Sequence, residues 1–330
     1  IVTLLVCSHI TATPPLPTTT ASPNTALAVS YFSAESEHTA RHLLEQHLAP
    51  IDQLDLIIVA FANIVMDPRI GYTLQLGYNA DETEKITKLI LQQKKANAKV
   101  LISIYSDDHF PLTRNADGRL AILADPRFSQ NVTDFLAQHH LQGIDLDLEN
   151  DHQAEDIKDI VTTLAPKLHQ AHDLLTVSVL LNPQRYVLSP GKNNEFNQAD
   201  FIGIQNYFCN NNLNDFANTI ESWHYSGIAY NKILGGINCD GPNVGRLHTP
   251  PDQVQQWACW ARGSINAHCQ FDDPTAPHLA GMFSWRLDND NSTGDLDISP
   301  TFASTKLMSQ LLHKTIPATG FATPHALQPV

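Results

Sequence analysis

The stretch GIDLDLE, residues 143–149, places three carboxylates on alternate positions among three aliphatic residues. Successive side chains of a β-strand point to opposite faces, so the acids share one face and the aliphatics share the other. Buried like charges are costly unless each is paired or neutralised. The stretch therefore predicts a strand that separates a packed apolar layer from a polar site with chemistry to perform.

Short runs rich in Val, Ile and Leu recur along the chain and alternate with segments of helical periodicity. The predicted strands are residues 26–32, 55–61, 99–105, 143–149, 175–181, 200–207, 232–238 and 279–285. The predicted helices are residues 35–48, 81–98, 125–140, 154–172, 213–227, 251–263 and 301–314. The link 182–199 has the weakest helix signal.

Eight strands that alternate with helices predict an α/β fold, a (β/α)8 TIM barrel in one domain. A doubly wound open sheet is the alternative. That fold usually has a glycine-rich phosphate loop after its first strand, and no such motif follows the first predicted strand here.

The ends of the chain differ in composition from the predicted barrel, which we assign to residues 26–315. Residues 1–12 look like the end of the apolar region of a signal peptide, and residues 13–25 form a Pro/Thr-rich linker. Residues 316–330 read as an unstructured tail. A processed leader predicts a secreted protein, either extracellular or periplasmic.

The composition limits the class of partner. The formal net charge is −14 over 330 residues, which argues against a nucleic acid or an anionic membrane surface as partner. No apolar run approaches the roughly 18 residues that a membrane-spanning helix needs. A neutral polymer such as a polysaccharide is compatible with these properties, and we predict a monomer.

Five cysteines are present, and Cys7 falls in the presumed leader. The other four form an even set, which suits an oxidising compartment. We predict the pairs Cys209–Cys239 and Cys259–Cys269, which is one of three possible connectivities. Four free thiols in a cytosolic protein are the alternative.

The position of the acids within a barrel suggests their chemistry. Active sites of such barrels lie at the carboxyl ends of the strands, where Glu149 would stand above Asp147 and Asp145. Neighbouring carboxylates cannot all ionise, so protons are retained near neutral pH. A protonated glutamate at the rim is suited to general acid catalysis. A solvated edge strand with acids facing water is the alternative.

The stretch QGIDLDLE resembles the signature DGxDxDxE of glycoside hydrolase family 18, the chitinases and endo-β-N-acetylglucosaminidases. Gly143, Asp145, Asp147 and Glu149 match, and Gln142 replaces the first aspartate. The likeness falls on the fourth predicted strand, where that family carries the signature. In strand order it extends over about residues 26–314.

Two further strands support the resemblance, and one departs from it. In FIGIQNYF, Gln205 and Tyr207 match the family's Q-x-Y-N element, with Phe208 in place of the asparagine. In GMFSWRLDND, Trp285 matches the family's terminal tryptophan. The third strand ends in SIYS where the family usually has S-x-G-G, so only Ser103 fits.

The resemblance implies retaining hydrolysis in which the 2-acetamido oxygen of the substrate attacks the anomeric carbon. Glu149 would protonate the leaving oxygen and later deprotonate water. Asp147 would hold the acetamido N–H and stabilise the oxazolinium, and Asp145 would hold Asp147 or share its proton. Tyr207 would donate a hydrogen bond to the acetamido carbonyl.

The resemblance also assigns substrate contacts to Trp285, as the apolar floor, and to Gln205 and Ser103. It implies no cofactor and no metal. The predicted substrate is a β-1,4-linked N-acetylglucosamine polymer, chitin or its oligosaccharides. Three alternatives stay open: an endo-β-N-acetylglucosaminidase acting on the chitobiose core of N-glycans, a non-catalytic chitinase-like lectin, and an unrelated barrel whose acids bind a divalent metal.

Overall fold

The computed structural model describes residues 26–33, 37–77, 79–105, 114–116, 120–149, 154–187, 191, 194–208, 212–240, 248–263, 276–290 and 300–313. The predicted leader and linker (1–25) and the predicted tail (316–330) lie outside these residues. The predictions about them, including export, stay predictions.

In the part of the chain that the structure describes, nine strands form one sheet, and eight of them close into a parallel barrel. The strands are β1 Leu27–Ser33, β2 Leu56–Asp67, β3 Gly71–Leu76, β4 Lys99–Tyr105, β5 Gly143–Leu148, β6 Leu174–Val179, β7 Phe201–Ile204, β8 Ile233–Asn238 and β9 Gly281–Trp285. Their order is β1-β9-β8-β7-β6-β5-β4-β2-β3, and β1 also pairs with β2, which closes the ring. The predicted (β/α)8 barrel is confirmed.

The helices of the described residues are α1 Glu37–Glu45, α2 Ala80–Gln93, α3 Ala121–Ala124, α4 Phe128–His139, α5 Ala154–Gln170, α6 Leu213–Tyr225, α7 Pro251–Ala261 and α8 Ala303–His313. All seven predicted helices are present. Between β6 and β7 the described residues contain two short 3-10 turns instead of an α-helix. This agrees with the weak helix signal of residues 182–199. Among the described residues, no helix has both the length and the apolarity to cross a membrane.

The barrel wall separates two apolar layers, as the alternating pattern of β5 predicts. Ile144, Leu146 and Leu148 of β5 point outwards and belong to the large core between the strands and the helices. A smaller cluster fills the barrel interior with inward-facing residues such as Tyr31 and Phe283. Asp145 and Asp147 alternate with the outward aliphatics and therefore face this interior.

The strand β3 was not expected from the sequence. β2 continues to Asp67, past the predicted end at residue 61, and its last part pairs antiparallel with β3. The register with β4 shifts between Ala60 and Ala62, so a bulge redirects β2 where it leaves the barrel. The resulting hairpin packs beside α4 and α2, outside the barrel.

Two buried or half-buried aspartates fasten α8 to the barrel. Asp290 accepts hydrogen bonds from the backbone N–H groups of Ser304 and Thr305 at 3.3 and 2.7 Å, which caps the start of the helix. At the other end, Asp55 contacts His313 Nε2 and Lys95 Nζ, each at 2.6 Å. The start of the last helix is thereby fixed to the segment after β9, and its end to the segment before β2.

The cysteines correct one prediction. Cys239 is a free thiol, so the predicted Cys209–Cys239 disulfide does not form. Its Sγ is buried in the outer core beside Thr305 of α8, with 3.9 Å between Sγ and Oγ1. Burial raises the pKa of this thiol, which therefore stays protonated. Cys209 and Cys269 lie outside the described residues, and the pair Cys259–Cys269 stays a prediction.

Candidate active site

The strand β5 carries the candidate site. It begins at Gly143, where a Cβ atom would lie 2.3 Å from the carbonyl oxygen of Leu174. Only glycine allows this close approach of β5 to β6. From there Asp145, Asp147 and Glu149 rise towards the carboxyl end of the barrel.

Asp145 is the deepest of the three acids and is surrounded by hydroxyl groups. Tyr31 and Ser103 each donate to its Oδ2 at 2.8 Å, and Thr176 donates to its Oδ1 at 2.6 Å. Burial raises the pKa of Asp145, although these three hydrogen bonds oppose the shift. A fully buried carboxylate with three donors is a fixed part of the site rather than a mobile one.

Asp147 stands one layer higher in a less favourable environment for a negative charge. Gln205 Nε2 donates to its Oδ1 at 2.9 Å. Burial raises the pKa of Asp147 well above its usual range, and the charges of Glu149 and Asp145 raise it further. The neighbouring carboxyl groups of β5 therefore do not all ionise at neutral pH, and they retain a proton among them.

Glu149 is the outermost acid and follows the last residue of β5. It is partly exposed, whereas Asp147 and Asp145 are buried. The hydroxyl group of Tyr186 donates at 2.9 Å to the carbonyl oxygen of Leu148, the residue before Glu149. This bond fixes the backbone from which the glutamate extends. The burial gradient along β5 thus ends in one carboxyl group that a ligand can reach.

Tyr207 closes the site on the side of β7. It is 5% exposed and packs edge-to-face against Phe283 with 6.3 Å between ring centroids. Burial raises the pKa of Tyr207, and the charges of Asp147 and Glu149 raise it further. The phenol consequently keeps its proton at neutral pH.

Aromatic rings line the opposite side of the barrel mouth. Trp285, at the end of β9, is partly exposed and stacks on Phe61 with a centroid distance of 5.9 Å. It also contacts Tyr31 at 5.4 Å. Phe61 in turn contacts Tyr105 at 5.4 Å. These rings form an apolar floor beside the carboxylates, and Trp285 is part of this floor.

An arginine between two acids supports the tryptophan from the rim. The guanidinium carbon of Arg286 lies 5.9 Å from the ring centroid of Trp285. Arg286 Nε is 3.4 Å from an oxygen of Asp288 and 3.8 Å from one of Asp240. Asp288 also accepts from the backbone N–H of Ser33 at 2.8 Å, so the group joins β9 to β1.

The structure changes the expected role of Ser103. Its side chain is fully buried and its hydroxyl is bound to Asp145, so we replace the predicted substrate contact with support of that carboxylate. Gln205 is likewise buried, and its donor contacts Asp147.

Sequence reasoning missed four residues that the structure brings to the site: Tyr31, Phe61, Tyr105 and Thr176. A usable signal was present on β6, where hydroxyl residues alternate with valines in LTVSV. Their inward face lies next to the acidic strand, since Thr176 pairs with Asp145 and Ser178 with Asp147.

A separate cavity of about 350 Å³ lies outside the barrel, between β3, α2 and α4. Its lining contains none of the residues of the barrel mouth named above.

Comparison with known proteins agrees with this assignment. A family model described as "Glycosyl hydrolases family 18" matches residues 28–257. No curated protein sequence matches the chain.

Solved structures with the same fold include the GH18 chitinase ChiB from Flavobacterium johnsoniae, with 16% identity, a TM-score of 0.62 and coverage of 88% of this chain and 94% of that chain. Catalytic domain 2 of the Ostrinia furnacalis Group II chitinase has 15% identity, a TM-score of 0.60 and coverages of 88% and 98%. The chitinase-like agglutinin from Robinia pseudoacacia has 14% identity, a TM-score of 0.60 and coverages of 87% and 100%.

At these identities the structures establish the fold alone. The family model covers more than half of the chain, including the acidic strand β5. The chain belongs to glycosyl hydrolases family 18.

Proposed function

We propose that the protein hydrolyses β-1,4 bonds in N-acetylglucosamine polymers, chitin or its oligosaccharides, with retention of anomeric configuration. The observation that carries the proposal is the decrease in burial along β5. Asp145 and Asp147 are buried, and Glu149 at the end of the strand is partly exposed. The chitinases among the structural neighbours are consistent with this substrate class.

In the proposed first step, the sugar whose bond is cleaved lies on Trp285. Glu149 transfers its proton to the glycosidic oxygen, and the bond between that oxygen and the anomeric carbon breaks. The acetamido oxygen of the same sugar bonds to the anomeric carbon and forms an oxazolinium ion. In the second step Glu149, now ionised, takes a proton from water, whose oxygen attacks the anomeric carbon and reopens the ring.

The charges around Asp147 suit this sequence. The oxazolinium ion carries a positive charge, and Asp147 together with Asp145 supplies the negative counter-charge in a site shielded from water. Asp147 accepts the acetamido N–H, while the protonated phenol of Tyr207 donates to the acetamido oxygen. Asp147 lies on β5 and Tyr207 in the short 3-10 turn that follows β7, so the barrel holds both groups in place and little reorganisation is needed.

Product analysis tests the proposal. Chitotetraose, chitohexaose and a high-mannose glycoprotein are incubated separately with the protein, and proton NMR follows the first product of each reaction. We expect short chitooligosaccharides whose new reducing end is initially the β-anomer. Release of the glycan from the glycoprotein alone would instead assign the endo-β-N-acetylglucosaminidase activity. Binding of the oligosaccharides without turnover would assign a lectin.

Localisation and oligomeric state stay proposals. We propose export from the cytoplasm on the basis of the leader-like residues 1–12, and a monomer.

A further inference from the structure

The exposure of inward-facing residues marks the extent of the cleft. A side chain that points into a barrel near the carboxyl ends of its strands reaches solvent only through the mouth. Tyr105, Glu149 and Trp285 are partly exposed there, whereas their inward-facing neighbours Phe61 and Asp147 are buried. Of these exposed residues, the resemblance to the family gives roles to Glu149 and Trp285 but none to Tyr105.

Tyr105 connects the aromatic floor to the acids. Its ring lies 5.4 Å from that of Phe61, which stacks on Trp285 at 5.9 Å. On its other side Tyr105 is paired in register with Asp147 of β5. The floor therefore continues from β9 across β2 to β4 and ends directly beside the carboxylates.

Tyr105 also occupies the position where the S-x-G-G pattern of the family has its first glycine. A glycine there would leave the inner face of β4 open beside Asp147. The ring of Tyr105 fills this space, so that part of the cleft wall is an apolar side chain instead of exposed backbone.

We propose that Tyr105 contacts substrate and determines specificity by packing against the sugar next to the one on Trp285. Phe61 lies between the rings of Trp285 and Tyr105 and contacts both. A sugar that lies on Trp285 therefore does not cover Tyr105, which can contact the next sugar of the chain. Pyranose rings have apolar C–H faces, and their burial on an aromatic ring is favourable. Productive binding then depends on at least two N-acetylglucosamine units. This inference rests on the proposed function for its substrate class.

The test compares Tyr105→Leu and Tyr105→Phe with the wild type and with Tyr72→Leu as a matched control. Tyr72 is a partly buried tyrosine of β3, outside the barrel. KM and kcat are measured on chitotriose and chitotetraose, Kd is measured by calorimetry with chitotriose, and thermal unfolding is followed for each variant. We expect Tyr105→Leu to raise KM and Kd about tenfold, equivalent to about 1.4 kcal/mol. Its kcat should change less than about threefold, since the ring contacts a sugar and not the reacting bond.

Tyr105→Phe should keep both constants within about twofold of wild type, because the contact is made by the ring. Unchanged KM and Kd in Tyr105→Leu would overturn the proposal. So would a loss confined to kcat and accompanied by a larger drop in melting temperature than Tyr72→Leu shows. If the wild type binds chitotriose without cleaving it, the proposed function fails while the Kd comparison still decides the role of Tyr105.

Discussion

Glu149→Gln is expected to lower kcat on chitooligosaccharides about 1000-fold. The amide occupies the same space but has no proton to give to the glycosidic oxygen and cannot deprotonate water. Because the side chain is partly exposed at the end of β5, the substitution should leave the barrel intact. The dissociation constant for chitotriose should therefore stay within about threefold of wild type, and the melting temperature should not change.

The loss of kcat in Glu149→Gln should depend on the leaving group of the substrate. With a leaving group that departs without a proton, such as a dinitrophenolate, the first step no longer needs the acid and the loss should be smaller. Glu155→Gln, an exposed glutamate in the first turn of α5, is the matched control and should behave as wild type. Turnover of chitooligosaccharides by Glu149→Gln within tenfold of wild type would remove Glu149 from the proposed role.

Asp147→Asn is expected to lower kcat about 100- to 1000-fold, the range found when one preorganised electrostatic group is removed from an active site. The asparagine has no negative charge to offer the oxazolinium ion. The same substitution should not lower the stability of the folded protein and should raise it at neutral pH. The pKa of Asp147 is raised in the folded protein, first by burial and then by Glu149 and Asp145. Its ionisation is therefore easier in the unfolded chain than in the folded one.

The raised pKa of Asp147 determines how the stability of the protein depends on pH. Above the unfolded pKa of about 4, the wild type loses stability as pH rises towards the folded pKa, because the folded state binds more protons. Asp147→Asn lacks this loss, so its melting temperature should equal or exceed that of wild type by a margin that grows between pH 5 and pH 8.

Asp145→Asn is the matched contrast, since its amide would face three hydroxyl donors, and it should unfold at a lower temperature. Destabilisation of Asp147→Asn to the same extent would contradict the environment assigned to Asp147.

The barrel was predictable because its strands are buried on both faces. A run such as KVLISIY matches the observed bounds of β4, since nearly continuous Val, Ile and Leu leave few other choices. The hairpin of β2 and β3 was missed because β3 and the last part of β2 are only partly buried and lack a continuous run of aliphatic residues. A turn signal was nevertheless available, for Asp67, Pro68 and Gly71 interrupt two β-rich runs.

Within the site, the sequence predicted the residues that belong to a recognisable motif, but it did not predict the residues that hydrogen-bond to them or pack against them. The alternation of β5 identifies Asp145 and Glu149 as residues of one face. No local pattern says that Tyr31 of β1 reaches Asp145, because that contact spans 114 residues of sequence and depends on the closure of the barrel. Cys239 shows the same limit, because spacing along the chain does not reveal that its thiol is free and buried beside α8.

In the proposed mechanism Glu149 delivers the proton while the acetamido group of the substrate itself attacks the anomeric carbon. Wild-type turnover of a fluorogenic chitobioside, compared with the cellobioside that has hydroxyl groups in place of the acetamido groups, tests it most directly. We expect hydrolysis of the chitobioside and a kcat/KM at least about 1000-fold lower for the cellobioside, equivalent to about 4 kcal/mol. Comparable turnover of both glycosides would contradict it, because the reaction would then proceed without the amide.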